Sequence, residues 1–310
     1  MKKILAAVLF LFLATASACS PRSDEGESIQ ISIVTPQGAT TYALAYMMEN
    51  GVGLKGVKVQ HEVVLGGDLL IARLLEGVDF AIAPINLAAT LYNRDAGYQV
   101  AGVATWGNLF ILTTDPEVHG WDDLSGRIVY SFGRGLVPDI TFSILMERYN
   151  ADPDLEFVPS SQEAAQKMLG GLAETALIAE PAATQVMLQT GARSVLDLQK
   201  EWGGEGFPQS VILVSQYLEK ENPELVREIL GEMEVSMKWI NSNPLELAER
   251  MEALDGNLSG EIIKDSVQRL NIRYKDAHSA HRSIMDYLRQ LYEMSPELIG
   301  GQVPGDGFIR

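Results

Sequence analysis

Short runs of alternating apolar and polar residues recur along the chain, and each run is followed by a helical pattern. Residues 29–34 (IQISIV) have the two-residue period of a strand, and residues 41–49 (TYALAYMME) have the composition of a helix. The alternation predicts further strands over 57–64, 78–82 and 98–105, with helices between them. Strands that alternate with helices of about ten residues form sheets covered on both faces, so the pattern predicts an α/β fold with mostly parallel sheets.

The same pattern continues through the middle of the chain. Further strands are predicted over 110–114, 127–131, 156–158, 177–179 and 211–215, again separated by helices. One of these helices begins at Ser160, and Glu163 stands at capping-box spacing after it. Another follows Glu180 and Pro181, because proline is tolerated in the first turn of a helix. The first 215 residues therefore contain two consecutive α/β units.

Beyond residue 215 the pattern changes to long helices. A helix is predicted from residue 222 to about 241, since its apolar residues recur at spacings of three and four. Those residues are Leu225, Ile229, Met233, Met237 and Ile240. Further helices are predicted to begin at Pro244, Ser259 and Asp276. The sequence thus predicts an all-helical tail after the two α/β units.

Composition excludes several classes of function. The 310 residues carry 41 acidic and 24 basic side chains, and this excess of negative charge argues against a nucleic-acid partner. A single cysteine can form neither an internal disulfide nor a cysteine-based zinc site. The glycines of Gly133-x-Gly135 fail as a dinucleotide fingerprint, because Pro138 occupies the place of the third glycine. No cofactor is expected.

The N-terminus has the pattern of an export signal. Two lysines precede an apolar run over Ile4 to Leu13, which is too short to span a bilayer. The phrase Ala16-Ser-Ala-Cys19 resembles the lipobox of bacterial lipoproteins, although Ala16 stands where leucine is preferred. The alternative is an ordinary secretory signal with an incidental cysteine. We expect a lipoprotein signal peptide over 1–18, a lipidated Cys19, and a tether over 19–28 that is too polar to pack.

Four phrases along the chain resemble those of one protein family. They are residues 74–81 (LLEGVDFA), residues 121–129 (WDDLSGRIV), Glu180-Pro181 and residues 222–226 (NPELV). The chain is similar there to the type II periplasmic solute-binding proteins, in the branch that binds nitrate, taurine, sulfonates and thiamine precursors. The resemblance covers residues 29–293. It implies an α/β fold of two lobes, with a helical C-terminal tail, in which the lobes close on a ligand.

The resemblance also implies boundaries and partners. Lobe one would comprise residues 29–104 and 206–310, lobe two residues 105–205, and the hinge would lie near Val103 and Phe207. The chain would be the lipid-anchored substrate-binding component of an ABC importer, extracytoplasmic and monomeric, which presents a small organic solute to permease and ATPase subunits. No catalysis is expected. The alternatives are a fold-related enzyme of the menaquinone-pathway type and a surface lipoprotein without a transport role.

Ligands of open α/β sheets bind where strands end and helices begin. In this chain the loops at those positions supply neutral hydrogen-bonding groups, and Trp106 offers a planar surface. Arg134 is their only basic residue, which argues against a multiply charged anion. The ligand is then either a sulfonate-like monoanion clamped by Arg134 or an uncharged heteroaromatic vitamin precursor stacked on Trp106. The predicted ligand-binding residues are Thr35, Gln37, Gly38, Thr40, Asn86, Trp106, Asn108, Arg134, Gly135 and Glu180.

Several of these residues equally suit structural roles. Thr35, Gln37 and Thr40 have side chains typical of turns and helix caps, and Trp106 is typical of a buried core. A surface metal site at His278 and the histidine three residues later is not predicted, because no further histidine or cysteine lies nearby in the sequence.

Overall fold

The computed structural model of the chain describes residues 28–255 and 258–310, and within them it contains two β-sheets. The strands of the first sheet are β1 (Ile29–Pro36), β2 (Val57–Val64), β3 (Phe80–Pro84), β4 (Tyr98–Thr105), β10 (Ser210–Ser215) and β11 (Ile272–Asp276). Those of the second are β5 (Leu109–Thr113), β6 (Ile128–Phe132), β7 (Asp154–Val158), β8 (Thr175–Ala179) and β9 (Arg193–Asp197). Their spatial orders are β11-β4-β10-β3-β1-β2 and β7-β6-β8-β5-β9. Each sheet with the helices packed on it is called the first or the second unit.

The helices lie between these strands and in the tail. In chain order they are α1 (Ala39–Ala43), α2 (Ala45–Asn50), α3 (Gly67–Glu76), α4 (Ile85–Asn93), α5 (Val137–Tyr149), α6 (Ser161–Leu169), α7 (Ala182–Thr190), α8 (Leu198–Trp202), α9 (Gln216–Glu221), α10 (Pro223–Ser242), α11 (Pro244–Asp255), α12 (Gly260–Ser266) and α13 (Ala277–Met294). The predicted cap of α6 is confirmed, because the Ser160 hydroxyl accepts a hydrogen bond from the Glu163 N–H. The predicted helix 41–49 is instead two short helices that meet at Leu44.

The expectation of mostly parallel sheets holds for most strands of each unit, because β1 to β4 share one direction and so do β6 to β9, but β5, β10 and β11 run against their neighbours. Strand β1 is parallel to β2 and β3, and β6 is parallel to β7 and β8. However, β10 runs antiparallel to β3 and β4, and β5 runs antiparallel to β8 and β9. Both β5 and β10 enter their sheet directly from the other unit, without the intervening helix that makes successive strands parallel.

The tail is helical except for one strand, which corrects the expectation of an all-helical tail. Residues of β11 pair antiparallel with β4 and extend the edge of the first sheet. The strand is short and polar (IRYKD), with Ile272 buried and Arg273 exposed, and α13 begins directly after it. Such a segment has too few apolar positions to show a strand period on its own.

Within the described part of the chain, buried apolar side chains form three clusters. One cluster lies under α4 and α13 in the first unit and continues without a break into the second unit, beneath α5 and α8. The second cluster lies on the opposite face of the first sheet, under α1, α2, α10 and α11. The third lies in the second unit under α6 and α7. The two units therefore share a core on one side and have separate cores on the other.

Two short segments carry the chain between the units, residues 106–108 and 203–209. Phe207 lies in the second segment, whereas Val103 lies inside β4, so the first crossing comes three residues later than expected. A Cβ atom on Gly107 would lie 2.6 Å from Gln199 Cγ and 2.8 Å from the Phe207 ring. A Cβ on Gly206 would collide with the Trp106 carbonyl oxygen. The crossing segments therefore pack too closely for any residue but glycine at these two positions.

The predicted signal peptide, the lipidated Cys19 and the tether up to residue 27 lie outside the described residues. Among the described residues, no helix has both the length and the apolar character needed to cross a bilayer.

Candidate functional site

A cavity of about 520 Å³ lies between the two units. The loops after β1 and β2 form its wall on the first unit, and the first turns of α6 and α7 form its wall on the second. Leu258, which lies shortly before α12, also lines it. We call this cavity the glutamine cleft; its lining residues are Gln37, Leu65, Gly66, Gln162, Gln166, Pro181, Ala182, Gln185 and Leu258.

The glutamine cleft is uncharged and rich in amides. None of the nine described residues that line it carries a charge, and four of them are glutamines. Gln162 and Gln166 lie one turn apart on α6 and are exposed, Gln185 on α7 is half-buried, and Gln37 is exposed on the opposite wall. Each amide offers an acceptor oxygen and a donor nitrogen. The cleft can therefore hydrogen-bond a small molecule from both units at once.

Asn86 is a predicted site residue whose side chain has an unused hydrogen-bonding atom. It lies in the first turn of α4 and is only 6% exposed. Its Oδ1 atom accepts no hydrogen bond within the part of the chain that the structure describes. A buried acceptor without a donor costs free energy, so a water molecule or a ligand group is expected to supply one. Asn86 does not line the glutamine cleft, so its role as a ligand-binding residue stays a prediction.

Two of the predicted residues around the start of α1, Gly38 and Thr40, are used for the turn itself. Thr35 is buried at the end of β1, and the Thr40 hydroxyl donates to the Pro36 carbonyl oxygen at 2.5 Å. Gly38 has a φ of 116°, which favours glycine, and it precedes the first residue of α1. These contacts favour the structural role for Thr40 and Gly38, while the neighbouring Gln37 lines the cleft.

Trp106 and Asn108 lie in the first crossing segment rather than at an open surface. The Trp106 ring is fully buried, and its indole N–H donates to the Arg273 carbonyl oxygen at 3.0 Å. Asn108 exchanges two hydrogen bonds with the Gln209 amide, at 3.1 Å through its backbone N–H and at 3.0 Å through Oδ1. Because Trp106 has no free ring face in this structure, the core role open to it from sequence is favoured over the stacking platform.

Arg134 and Gly135 form an exposed turn after β6. The Arg134 guanidinium lies 4.0 Å from the centre of the Phe157 ring, and Arg134 does not line the glutamine cleft. The Gly135 N–H donates to the Asp139 carboxylate at 2.8 Å, which closes the turn onto α5. The geometry therefore gives no support to an anion clamp at Arg134.

Glu180 is fully buried and belongs to an ion pair between the units. Its carboxylate accepts hydrogen bonds from the Thr184 N–H at 3.0 Å and the Thr184 hydroxyl at 2.7 Å. Arg269, from the short 3-10 turn after α12 in the first unit, pairs with the same carboxylate and also donates to the Thr184 hydroxyl. We call this contact the Glu180–Arg269 bridge. It occupies Glu180 with protein groups and fixes the start of α7, which is a wall of the cleft.

Sequence reasoning found some cleft residues and missed others. The rule of strand ends selected the loops that hold Gln37, Gly66, Pro181 and Ala182. It missed the remaining lining residues, which are Leu65, Gln162, Gln166, Gln185 and Leu258. Most of these lie on helices or in the tail, beyond the strand ends. The four-residue spacing of Gln162 and Gln166 was the available signal, because it places both amides on one face of α6.

The sequence is similar to a known protein family and to a known binding protein. Residues 67–247 match the sequence profile of the family described as NMT1/THI5 like. YtlA of Bacillus subtilis (strain 168), described as a binding protein, is 22% identical over 281 residues, which cover 87% of this chain and 82% of YtlA.

Two solved structures have the same fold. A structure described as an ABC transporter from Parabacteroides distasonis is 26% identical with a TM-score of 0.79, over 91% of this chain and 99% of that one. The periplasmic aliphatic sulphonate binding protein SsuA from Escherichia coli is 14% identical with a TM-score of 0.71, over 89% and 97%. The predicted two-lobe periplasmic-binding-protein fold is confirmed.

Proposed function

The chain belongs to the NMT1/THI5-like family, and from this premise we propose that it is the solute-binding component of an ABC importer. It captures a small organic solute between two lobes, residues 29–104 with 206–310 and residues 105–205, and the crossing segments serve as the hinge. The closed form is presented to permease and ATPase subunits. The family match and the likeness to an ABC-transporter structure support this function, and no catalytic step is part of it.

The glutamine cleft is the observation on which the proposal rests. Its two walls come from different units, so a ligand held by both walls binds the closed arrangement better than an open one. A ligand shifts a conformational equilibrium only by its difference in affinity for the two states. Contacts to Gln37 on one wall and to Gln162, Gln166 and Gln185 on the other provide that difference. Closure would then report the bound solute to the permease.

The lining of the cleft favours the uncharged solute over the monoanion. A buried anion needs a cation or several donors to offset its lost hydration, and the lining residues within the described part of the chain include no cation. Glutamines present acceptor oxygens as well as donors, which suits a neutral molecule that both donates and accepts hydrogen bonds. A neutral heteroaromatic compound has these properties. SsuA is named for sulphonates, but at 14% identity its likeness extends to the fold alone.

The proposed location is the outer side of the cytoplasmic membrane, as a monomer held to the envelope by lipid on Cys19. The export signal over 1–18 and the polar tether over 19–28 support it. With 41 acidic and 24 basic residues the chain has little attraction to anionic lipid, so the attachment must come from acyl chains. Palmitate labelling of the expressed chain, compared with Cys19→Ser, tests this part separately.

Thermal unfolding of the mature chain with a panel of uncharged heteroaromatic compounds and alkanesulfonates tests the function. A solute at 100 times its Kd stabilises the folded state by about 2.7 kcal/mol, which raises Tm by roughly 5 °C in a chain of this size. Gln185→Ala should cost about tenfold in affinity and so about halve the rise, whereas Gln189→Ala, one turn further along α7 and outside the cleft, should keep it. If no compound of either class raises Tm and deletion of the gene impairs no uptake, the proposed function is wrong.

A further inference from the structure

A second cavity, of about 200 Å³, lies in the first unit beside the glutamine cleft. Gln37 lines both cavities, so the two meet at that side chain. We call the second cavity the apolar annex; its other lining residues are Gly38, Thr41, Tyr42, Met48, Val63 and Met251. They come from α1, α2, β2 and α11, all in the first unit.

The apolar annex differs from the cleft in chemistry. Tyr42 and Met251 are buried core side chains, and Val63 is 38% exposed at the rim. The only hydroxyl besides that of Tyr42 belongs to Thr41, and it already donates to the Pro36 carbonyl oxygen at 3.1 Å. Methionine side chains are flexible and polarizable, so Met48 and Met251 can adapt to apolar groups of different shape. Water gains few hydrogen bonds in such a space, whereas an apolar group gains favourable contact.

From this juxtaposition we infer that the transported solute is an uncharged amphiphile, whose hydrogen-bonding head binds in the glutamine cleft and whose alkyl or aryl part binds in the apolar annex. The inference rests on the proposed function and names its class of substrate. Because the annex is built from the first unit alone, the apolar part can bind before the units close. The head then recruits Gln162, Gln166 and Gln185 from the second unit.

Nuclear magnetic resonance of ¹³C-methyl methionine tests the inference at the site itself. The probes are acetamide, butanamide and hexanamide, which share an uncharged head, and pentanesulfonate, which has the same five-carbon tail as hexanamide with a charged head. The Met48 and Met251 methyl signals should shift saturably, and the affinity should rise about fourfold for each added methylene until the annex is full. Met168, in the third apolar cluster, is the internal control and should not shift.

Val63→Phe fills the annex from its half-exposed rim and should remove the dependence on tail length while the protein stays folded. Val235→Phe, at an exposed position of α10, is the matched control and should leave the dependence intact. The inference is overturned if no probe shifts Met48 and Met251 up to its solubility limit, or if pentanesulfonate binds more tightly than hexanamide. If the heteroaromatic panel raises Tm while the signals of these methionines do not shift, the inference about the annex is wrong and the proposed function stands. If the panel does not raise Tm and the methionine signals do not shift, the proposed function and the inference are both wrong.

Discussion

The two sides of the contact between the units differ in chemistry. On the side of the crossing segments, one apolar cluster runs from the first unit into the second and includes Trp106, Phe207 and Tyr287. On the side of the glutamine cleft, each unit has a separate apolar cluster, and the Glu180–Arg269 bridge joins the units there. Apolar contact is lost outright when it is pulled apart, whereas polar groups can exchange their partners for water. The first side is therefore suited to act as a pivot and the second to open.

Three aromatic rings form the centre of the crossing side. Trp202 at the end of α8, Phe207 in the crossing and Tyr287 in α13 have ring centroids 5.1 to 5.9 Å apart. The Tyr287 hydroxyl shares a hydrogen bond of 2.8 Å with Thr141 in α5, and burial raises the pKa of Tyr287 despite that bond. The phenol therefore stays neutral, and the tail, the crossing and the second unit are locked together by packing.

The largest effect on stability is expected from a substitution that removes one of these packed rings. Phe207→Ala removes a fully buried ring from the crossing and should cost about 4 kcal/mol of unfolding free energy, measured by urea denaturation. Phe207→Leu keeps most of the volume and should cost less than about 1.5 kcal/mol. A loss below 1 kcal/mol for the alanine variant would show that the crossing side is not a packed pivot.

A smaller effect is expected from breaking the Glu180–Arg269 bridge. Arg269→Met leaves the buried Glu180 carboxylate without its cation and should cost about 2 kcal/mol. The cost is below that of a fully buried pair because the Arg269 side chain is 37% exposed, so water can replace part of the contact. Arg227→Met breaks an exposed pair with Glu224 and should change stability by less than about 0.5 kcal/mol.

The bridge also predicts a change of shape. Because Arg269 fixes the start of α7 against the first unit, small-angle X-ray scattering of Arg269→Met should give a larger radius of gyration than that of the wild type. An unchanged radius of gyration together with an unchanged free energy of unfolding would show that the bridge does not hold the two walls of the cleft together.

A still smaller effect on stability, with a clear effect on binding, is expected at the cleft wall. Gln37→Ala removes an exposed amide and should leave the free energy of unfolding within about 0.5 kcal/mol. Calorimetry with a solute that raised Tm should show about a tenfold loss of affinity, the value of one hydrogen bond. Gln30→Ala, at an exposed position of β1 outside the cleft, is the control. Equal affinities for the two variants would exclude Gln37 from the site.

The smallest effect is expected at Arg134. Its guanidinium packs on Phe157 away from the cleft lining, and an exposed contact of this kind contributes about 0.5 to 1 kcal/mol. Arg134→Ala should therefore leave solute affinity unchanged in the same calorimetric assay. A tenfold loss of affinity would instead support the alternative in which Arg134 clamps a monoanionic ligand.

Sequence predicted the fold better than the direction of its strands. The alternation of apolar runs and helices gave the strands from Ile29 to Ser215 except β9, and the cap at Ser160, because these are local properties of the chain. It could not give the antiparallel entry of β5 and β10, which depends on the chain changing units. Nor could it give β11, a polar edge strand that is defined by its pairing with β4.

In the candidate site, too, local features could be predicted from sequence and tertiary contacts could not. Rules about strand ends located Gln37 and the start of α7, since those positions follow from the order of elements. Glu180 was assigned to the ligand because its partner Arg269 stands 89 residues away in the tail. For Trp106 the sequence leaves a stacking platform and a core residue as alternatives, because nothing local shows that Arg273 covers it. Which side chains meet across a cleft is decided by tertiary packing, and no local pattern records it.

The central claim is that an uncharged solute draws the two units together across the glutamine cleft. The only cysteine of the chain is Cys19, so a Cys19→Ser background allows spin labels to be placed at Leu75→Cys on α3 and Leu188→Cys on α7, both exposed positions. Pulsed electron spin resonance then measures the distance between the units. A saturating uncharged solute from the thermal panel should shorten and narrow that distance, and Gln166→Ala should weaken the response. An unchanged distance at saturation, or shortening by alkanesulfonates alone, would contradict the account.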